Sequence, residues 1–223
     1  HRQLSLTSYR PPSLNQPFPP SPLHTLLRQA TKHAHHALDH HPILAPLIKP
    51  GLDATQYGNA LASLHGIYKQ LETWILDFLA QHQYQFNYRD RQKLPALEAD
   101  LAALGRTPLP IGQSLPIAQD IGGLIGILYT VEGSTQGGQV IARVIRQNTV
   151  EDLPLRFFSG YGTQSRQRWE EFLLFADLVC PESEHETAQA AAVSTFEAIR
   201  NHLDATQHQL GQISPPGMPN HPA

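Results

Sequence analysis

Apolar residues recur at intervals of three and four along most of the chain, which predicts amphipathic α-helices. The pattern predicts a first helix from about Leu23 to His41-Pro42 and a second from about Asp53 to Gln81. Further helices are predicted from Pro95 to Gly105, from about Pro116 to Gln147 with interrupting glycines, around Trp169, and from about Glu184 to Gln209. No strand alternation and no internal repeat is visible. The sequence therefore predicts an all-α single domain of six to eight helices.

Proline-rich segments lie on both sides of this helical region. Proline fixes φ and removes a backbone donor, so such segments do not favour packed structure. We therefore predict a disordered tail over residues 1–22, a helical domain over 23–210 and a second disordered tail over 211–223.

Composition and charge exclude several classes of function. The formal net charge of −3 leaves no basic excess, so a nucleic-acid partner is not expected. The longest apolar run, Ile121 to Val131, is too short for a membrane span of about 20 residues. Cys180 is the only cysteine, which excludes an internal disulfide framework and favours a cytoplasmic location.

Histidine is unusually abundant, with 13 residues against 16 lysines and arginines. In the first helix, His35 lies beside the apolar stripe, and this position is consistent with a metal ligand or with a hydrogen-bonded core histidine. His33, His36 and His40 point toward water. The spacing of His36 and His40 allows a surface chelate for a divalent ion, or simply a solvated face.

The fourth helix contains Gly133, Gly137 and Gly138 within an otherwise apolar pattern. Each costs about 1 kcal/mol relative to alanine in a helix interior, so a compensating reason is expected. Gly133 and Gly137 form one row without side chains, and Ser134 and Gly138 form a second row. Either a neighbouring helix packs closely on these rows, or a flat ligand lies on the bare backbone.

The first and fourth helices together suggest a planar iron macrocycle, with His35 as its proximal ligand and the glycine rows opposite. Basic residues near these helices are candidates to bind carboxylates at the edge of the macrocycle, or are simply exposed cations. They are Arg28, Lys32, Arg166 and Arg168.

Two segments resemble motifs of the biliverdin-producing heme oxygenases. The proximal-helix motif is matched by LRQAT at 27–31, followed by His35 and Leu38-Asp39. The distal-helix motif is matched by LYTVEGSTQGGQVI at 128–141, which is most similar to the bacterial form found alongside bacteriophytochromes. The resemblance extends over about residues 23–205. It implies a heme oxygenase-like helical bundle with heme sandwiched between a proximal and a kinked distal helix.

The resemblance also implies roles for individual residues. His35 becomes the heme ligand, Arg28 and Lys32 the partners of the propionates, and a distal ledge is formed by Gly133, Ser134, Gly137 and Gly138. The animal enzymes have an aspartate where this chain has Ser134, so the groups that order distal water here differ from theirs.

The implied activity is the O₂-dependent cleavage of heme to biliverdin, CO and Fe²⁺, with heme as both cofactor and substrate. Because no flavin or nicotinamide fingerprint is visible, electrons are expected from a separate ferredoxin or flavoprotein reductase. A bacteriophytochrome is a possible acceptor of the bilin.

Three other interpretations remain open at this stage. A heme-binding carrier or sensor would use the same site without turnover. A di-iron carboxylate oxidase needs several inward acids, whereas Glu72, Asp100 and Glu132 have no Glu-x-x-His partner. A non-enzymatic helical interaction domain would leave the clustered glycines unexplained.

Overall fold

A computed structural model describes residues 20–111, 115, 119–149 and 151–212. These residues form seven α-helices joined by loops and short 3₁₀ turns, without a strand. The helices are α1 (Pro22–Asp39), α2 (Ala54–His82), α3 (Leu94–Ala103), α4 (Ile121–Asn148), α5 (Arg156–Ser159), α6 (Ser165–Val179) and α7 (His185–Gln212). The all-α prediction is confirmed. Among the described residues, no helix combines the length and the hydropathy needed to cross a membrane.

Side-chain caps determine where the long helices begin. The Ser21 hydroxyl accepts a hydrogen bond from the His24 amide at 3.1 Å, and Pro22 follows at the first position of α1. Asp53 forms a capping box with Gln56 at the start of α2. Both of these starts lie within a residue or two of the predicted ones, because the capping signals are local.

The fourth helix differs from its prediction in two respects. It begins at Ile121, where Asp120 accepts a hydrogen bond from the Gly123 amide at 2.8 Å, and not near Pro116, which lies outside the described residues. The predicted interruption by glycines is wrong, since α4 continues unbroken from Ile121 to Asn148. Tertiary packing on α7 compensates for the low helix propensity of its glycines.

Helix α7 supports both α4 and α1. A Cβ atom on Gly122 would lie 2.8 Å from the Glu184 carbonyl oxygen, and one on Gly126 would lie 2.6 Å from the Ala192 amide nitrogen. The two helix backbones therefore approach closely. Because residues further along α4 contact residues further along α7, the two helices run in the same direction. The glycines in the first half of α4 serve helix packing.

Helix α1 also runs parallel to α7. The Gln189 side chain donates to the Leu26 carbonyl oxygen at 3.5 Å, and the rings of His35 and Phe196 contact each other with centroids 5.4 Å apart. Further along, His41 Nε2 donates to Asp204 Oδ1 at 2.8 Å, because the Ile43 amide donates to its Nδ1. Helices α1 and α4 therefore both lie along α7 with the same polarity.

We expect Gly126→Ala to destabilise the protein by about 1–3 kcal/mol, because the added methyl group would overlap the α7 backbone rather than a movable side chain. Chemical denaturation with urea measures this change. The matched control is Gly211→Ala in the last turn of α7, where a Cβ meets nothing within 4 Å. Equal stability of the two variants would contradict close packing of α4 on α7.

Three histidines outside the motif are buried, in contrast to His33, His36 and His40, which are exposed as predicted. They are His41, His65 and His202. His202 lies 1% exposed on α7, and its Nε2 donates to the Ser63 carbonyl oxygen of α2 at 3.0 Å. Its Nδ1 has no hydrogen-bond partner among the described residues. The imidazole is therefore held neutral, and burial lowers its pKa from 6.5.

A histidine with a lowered pKa makes folding pH-dependent in a definite direction. Below pH 6.5 the unfolded chain binds a proton at His202 that the folded chain does not. The free energy of unfolding should therefore decrease as pH decreases below 6.5, and His202 should contribute no slope well above that pH.

Urea titrations between pH 5 and 8 measure this slope. The variant His202→Gln keeps a side-chain donor. Below pH 6.5, its free energy of unfolding should depend less steeply on pH than that of the wild type. Burial also lowers the pKa of His24, so His24→Gln is the comparison that separates the two contributions. An unchanged slope in His202→Gln would contradict the assignment.

The predicted tails at 1–22 and 211–223 lie almost wholly outside the described residues. Helix α1 begins at Pro22 and α7 ends at Gln212, which is close to the predicted domain limits of 23 and 210.

Candidate functional site

His35 lies at the margin of the helical core rather than inside it. Its side chain is 56% exposed, although the sequence placed it on the inward side of α1. The buried face of α1 consists of Leu23, Leu27, Thr31 and Leu38. One side of the His35 ring contacts Phe196, and Nε2 lies 3.6 Å from a carboxylate oxygen of Asp39. The imidazole is therefore supported by α7 and remains accessible to a ligand.

The four residues of the predicted ledge separate into two kinds of environment. A Cβ on Gly138 would lie 2.9 Å from the Phe158 carbonyl oxygen, and one on Gly133 would lie 3.6 Å from the Trp169 ring. Packing within the protein therefore accounts for these two glycines. A Cβ on Gly137 would meet nothing within 4 Å, and both Gly137 and Ser134 are exposed. Gly137 alone of the three presents bare backbone to open space.

Helix α7 places the two halves of the site at the same height. Thr130 of α4 contacts the Ala192 carbonyl oxygen, with its hydroxyl 3.4 Å away. One turn further along these parallel helices, Ser134 comes level with Phe196, which is the residue that His35 contacts. His35 on α1 and the Ser134–Gly137 segment on α4 therefore lie at one level, on two helices that share a support.

A buried tyrosine of α2 interacts directly with the ledge. The Ser134 hydroxyl donates to the Val131 carbonyl oxygen at 2.6 Å, so the Tyr68 hydroxyl, 3.0 Å away, donates to Ser134. Burial raises the pKa of Tyr68 to about 12, and the bond to Ser134 offsets only part of this effect. Tyr68 is therefore a neutral donor at physiological pH. Sequence reasoning did not single out Tyr68, although a buried tyrosine hydroxyl usually requires a partner.

A buried charge cluster lies directly behind the ledge. Glu132 is fully buried and accepts hydrogen bonds from Arg91 at 2.8 Å, from the Tyr161 hydroxyl at 2.8 Å and from Lys93. A neighbouring carboxylate, Glu72, accepts from the Tyr88 hydroxyl at 2.6 Å and from backbone amides at 93 and 94. Two carboxylates are thereby compensated without a metal ion.

This cluster opposes the di-iron interpretation. The carboxylates of Glu72 and Glu132 are directed to cations, hydroxyls and amides, and Asp100 caps α5 by accepting from the amides of Arg156 and Phe157. Within the part of the chain that the structure describes, no group of three or more histidine, cysteine or acidic side chains could hold a metal ion.

Sequence comparison connects the first half of the chain to one family. Residues 21–108 match the sequence model of the heme oxygenase family. A heme oxygenase of Xanthomonas campestris pv. campestris (strain 8004) is 33% identical over 101 residues, which cover 43% of this chain and 56% of the relative. The match thus spans about half the length of that curated relative.

Solved structures extend the similarity over most of the chain. The heme oxygenase of Neisseria meningitidis has a TM-score of 0.70 at 19% identity, covering 88% of this chain and 98% of that chain. This chain has the heme oxygenase fold. Heme oxygenase-1 of Synechocystis sp. PCC6803, solved in complex with heme, has a TM-score of 0.63 at 17% identity, covering 85% and 94%. The heme oxygenase of Leptospira interrogans has a TM-score of 0.64 at 18% identity, covering 83% and 100%.

These similarities confirm the resemblance to the heme oxygenases and the predicted fold class. They do not test the individual site residues, whose roles stay predictions. The family model matches the segment that contains α1, α2 and α3, whereas α4 with the distal motif lies outside the matched residues 21–108.

The heme oxygenase fold brings only some of the predicted basic residues to the candidate site. Burial lowers the pKa of His24, and the nearby positive charge of Arg28 lowers it further. Burial raises the pKa of Tyr129, and the charge of Arg28 opposes that increase. Lys32, one turn after Arg28, is exposed on the same helix. Both lie on α1, within the two turns that precede His35.

The basic residues of α6 have other contacts. Arg166 is exposed and pairs with Glu170 at 3.0 Å on its own helix. The Arg168 guanidinium lies over the Tyr161 ring, 5.5 Å from the centroid, next to the buried charge cluster. Their predicted part in carboxylate binding stays a prediction.

An aromatic wall, formed by His24, Tyr129 and Trp169, closes one side of the site. Its ring centroids lie 5.6–6.3 Å apart, and Trp169 is the ring that covers Gly133. Sequence reasoning missed His24, which is half-buried between three helices. The sequence indicated His24 only through its spacing, since it precedes Arg28 by one helical turn and Thr31 by two turns on α1.

Proposed function

We propose that this protein is a heme oxygenase that uses O₂ and external electrons to cleave heme to biliverdin, CO and Fe²⁺. The observation that carries the proposal is an accessible imidazole, His35, at the same level as the bare backbone of Gly137 on a parallel helix. The heme oxygenase fold and the family match over residues 21–108 support it.

The residues present fit a heme. A flat macrocycle needs close approach to backbone on one face, and Gly137 leaves that space where a Cβ would fill it. His35 would hold the iron, because imidazole is a common axial ligand and this one is 56% exposed, with Nε2 3.6 Å from an Asp39 carboxylate oxygen. Arg28 and Lys32 would bind the propionates through opposite charge, and Arg166 and Arg168 are further candidates.

When bound, heme supplies both the oxygen-activating centre and the substrate. The protein orders the groups around it. Ser134 and Tyr68 hold hydroxyl groups at the ledge in a fixed direction, since Tyr68 donates to Ser134 and Ser134 donates to the Val131 carbonyl oxygen. These neutral hydroxyls would position water and protons beside the open face of Gly137, without a strong acid.

The partners follow from the proposed reaction. Heme cleavage consumes electrons, which we propose come from a ferredoxin or a flavoprotein reductase. The similarity of the distal motif to the bacterial form found alongside bacteriophytochromes makes such a photoreceptor the proposed acceptor of the bilin. A cytoplasmic location stays the prediction made from the sequence.

The test is to load the purified protein with hemin, remove unbound hemin, and supply O₂ with ferredoxin and its reductase in the presence of catalase. We expect bilin absorbance to replace the heme bands, with CO trapped by deoxymyoglobin and Fe²⁺ by a chromogenic chelator. Free hemin under the same conditions is the control. A stable oxygenated complex that yields neither bilin nor CO would instead identify a heme carrier or sensor.

A further inference from the structure

We propose that His36 and His40 form a binding site for a divalent transition-metal ion at the C-terminal end of α1. The site uses residues other than the proposed heme ligand, since His36 and His40 are both exposed and His35 is the ring that contacts Phe196 of α7. The proposal does not depend on the heme oxygenase activity.

The two imidazoles are already close together. His36 lies in the last turn of α1 and His40 is its C-cap residue, and their rings stack with centroids 4.1 Å apart and an interplanar angle of 28°. A metal ion that bonds two imidazole nitrogens at about 2.0–2.1 Å each holds those nitrogens about 3–4 Å apart. The rings are thus close enough for one nitrogen of each to reach a shared ion once the side chains rotate out of the stack.

The His40 ring is held in the tautomer that leaves Nε2 free to bind a metal ion. His40 Nδ1 lies 2.8 Å from the His36 carbonyl oxygen, so this nitrogen carries the proton and donates. Nε2 of His40 therefore presents its lone pair outward. A backbone carbonyl that orients a ligating histidine in this way is a common second contact in metal sites.

The number and type of donors indicate which ions bind. The structure gathers no third histidine, cysteine or acidic residue around this pair in the described part of the chain, so water completes the coordination. Asp39 is directed to His35, at 3.6 Å from its Nε2. Two neutral imidazoles and water suit Cu²⁺, Ni²⁺ and Zn²⁺, with Cu²⁺ bound most strongly.

The experiment uses the full chain without a purification tag and without heme. Cu²⁺ binding is followed by electron paramagnetic resonance, which counts the coordinated nitrogens, and Zn²⁺ binding by calorimetry. We expect one site with two nitrogen ligands. Either His36→Ala or His40→Ala should weaken binding at least about tenfold, because each removes the chelate.

The matched control is His33→Ala, which removes an exposed histidine from the same helix and should leave the affinity unchanged within twofold. If His36→Ala and His40→Ala both bind Cu²⁺ and Zn²⁺ like the wild type, the ion is adventitious only and the proposal is overturned. It is also overturned if His33→Ala weakens binding as much as His36→Ala, or if the spectrum shows a single nitrogen ligand. Circular dichroism of each variant confirms that α1 remains folded.

Discussion

His35→Ala should lose heme turnover by more than about a hundredfold, and its heme complex should lack the absorption bands of axial imidazole coordination. Removing an outer partner of a metal ligand already costs 10–100-fold in affinity or activity, so removing the ligand itself should cost more. The fold should persist, because the His35 side chain is 56% exposed and makes few contacts apart from Phe196.

The accessibility of His35 makes a rescue experiment possible. The truncated side chain leaves an open position at the surface of α1, which free imidazole can enter from solvent. We expect added imidazole to restore the spectrum of axial coordination in His35→Ala in a concentration-dependent way. The control His33→Ala should have wild-type spectra and turnover. An unchanged imidazole spectrum in His35→Ala without added imidazole would contradict the assignment of the ligand.

Gly137→Leu should abolish tight heme binding while leaving the protein as stable as the wild type, or more stable by up to about 1 kcal/mol. Leucine is a better helix former than glycine, and a Cβ at this exposed position meets no atom within 4 Å. The leucine side chain would instead occupy the space in which we place the face of the macrocycle. The measurement pairs hemin titration with urea denaturation, so that binding and stability are separated.

Two other glycines provide controls for this result. Gly211→Leu, at an equally open helical position near the end of α7, should leave heme binding unchanged. Gly138→Ala should lower stability by about 1–3 kcal/mol, because its Cβ would lie 2.9 Å from the Phe158 carbonyl oxygen. Wild-type heme affinity in Gly137→Leu would show that the ligand does not lie on this part of α4.

The buried charge cluster behind the ledge ties the middle of α4 to another part of the chain. Glu132 immediately precedes Gly133 in α4 and is held by Arg91 and Lys93, which come from the segment between α2 and α3. Breaking such a pair costs more than the pair contributes, since it leaves an uncompensated buried charge. The glycine-rich middle of α4 is thereby held against the segment between α2 and α3, next to the ledge that we propose contacts heme.

Much of the helical architecture was determined by the sequence itself. The spacing of leucines and the signals of Ser21 and Asp53 place the starts of α1 and α2, because capping and periodicity act within a few residues. The motif residues around His35 and Gly137 also indicated the resemblance to the heme oxygenases. These properties depend on neighbours in the sequence, which a pattern records directly.

Only the tertiary structure decided what each motif residue contacts. Gly133, Gly137 and Gly138 are equivalent in the sequence, yet Trp169 covers the first, open space adjoins the second, and the Phe158 backbone packs on the third. His35 is half-exposed because α7 supports only one side of its ring. These contacts join residues 20 to 161 positions apart, which meet only when the helices pack. A helical period describes the faces of one helix and not its neighbours.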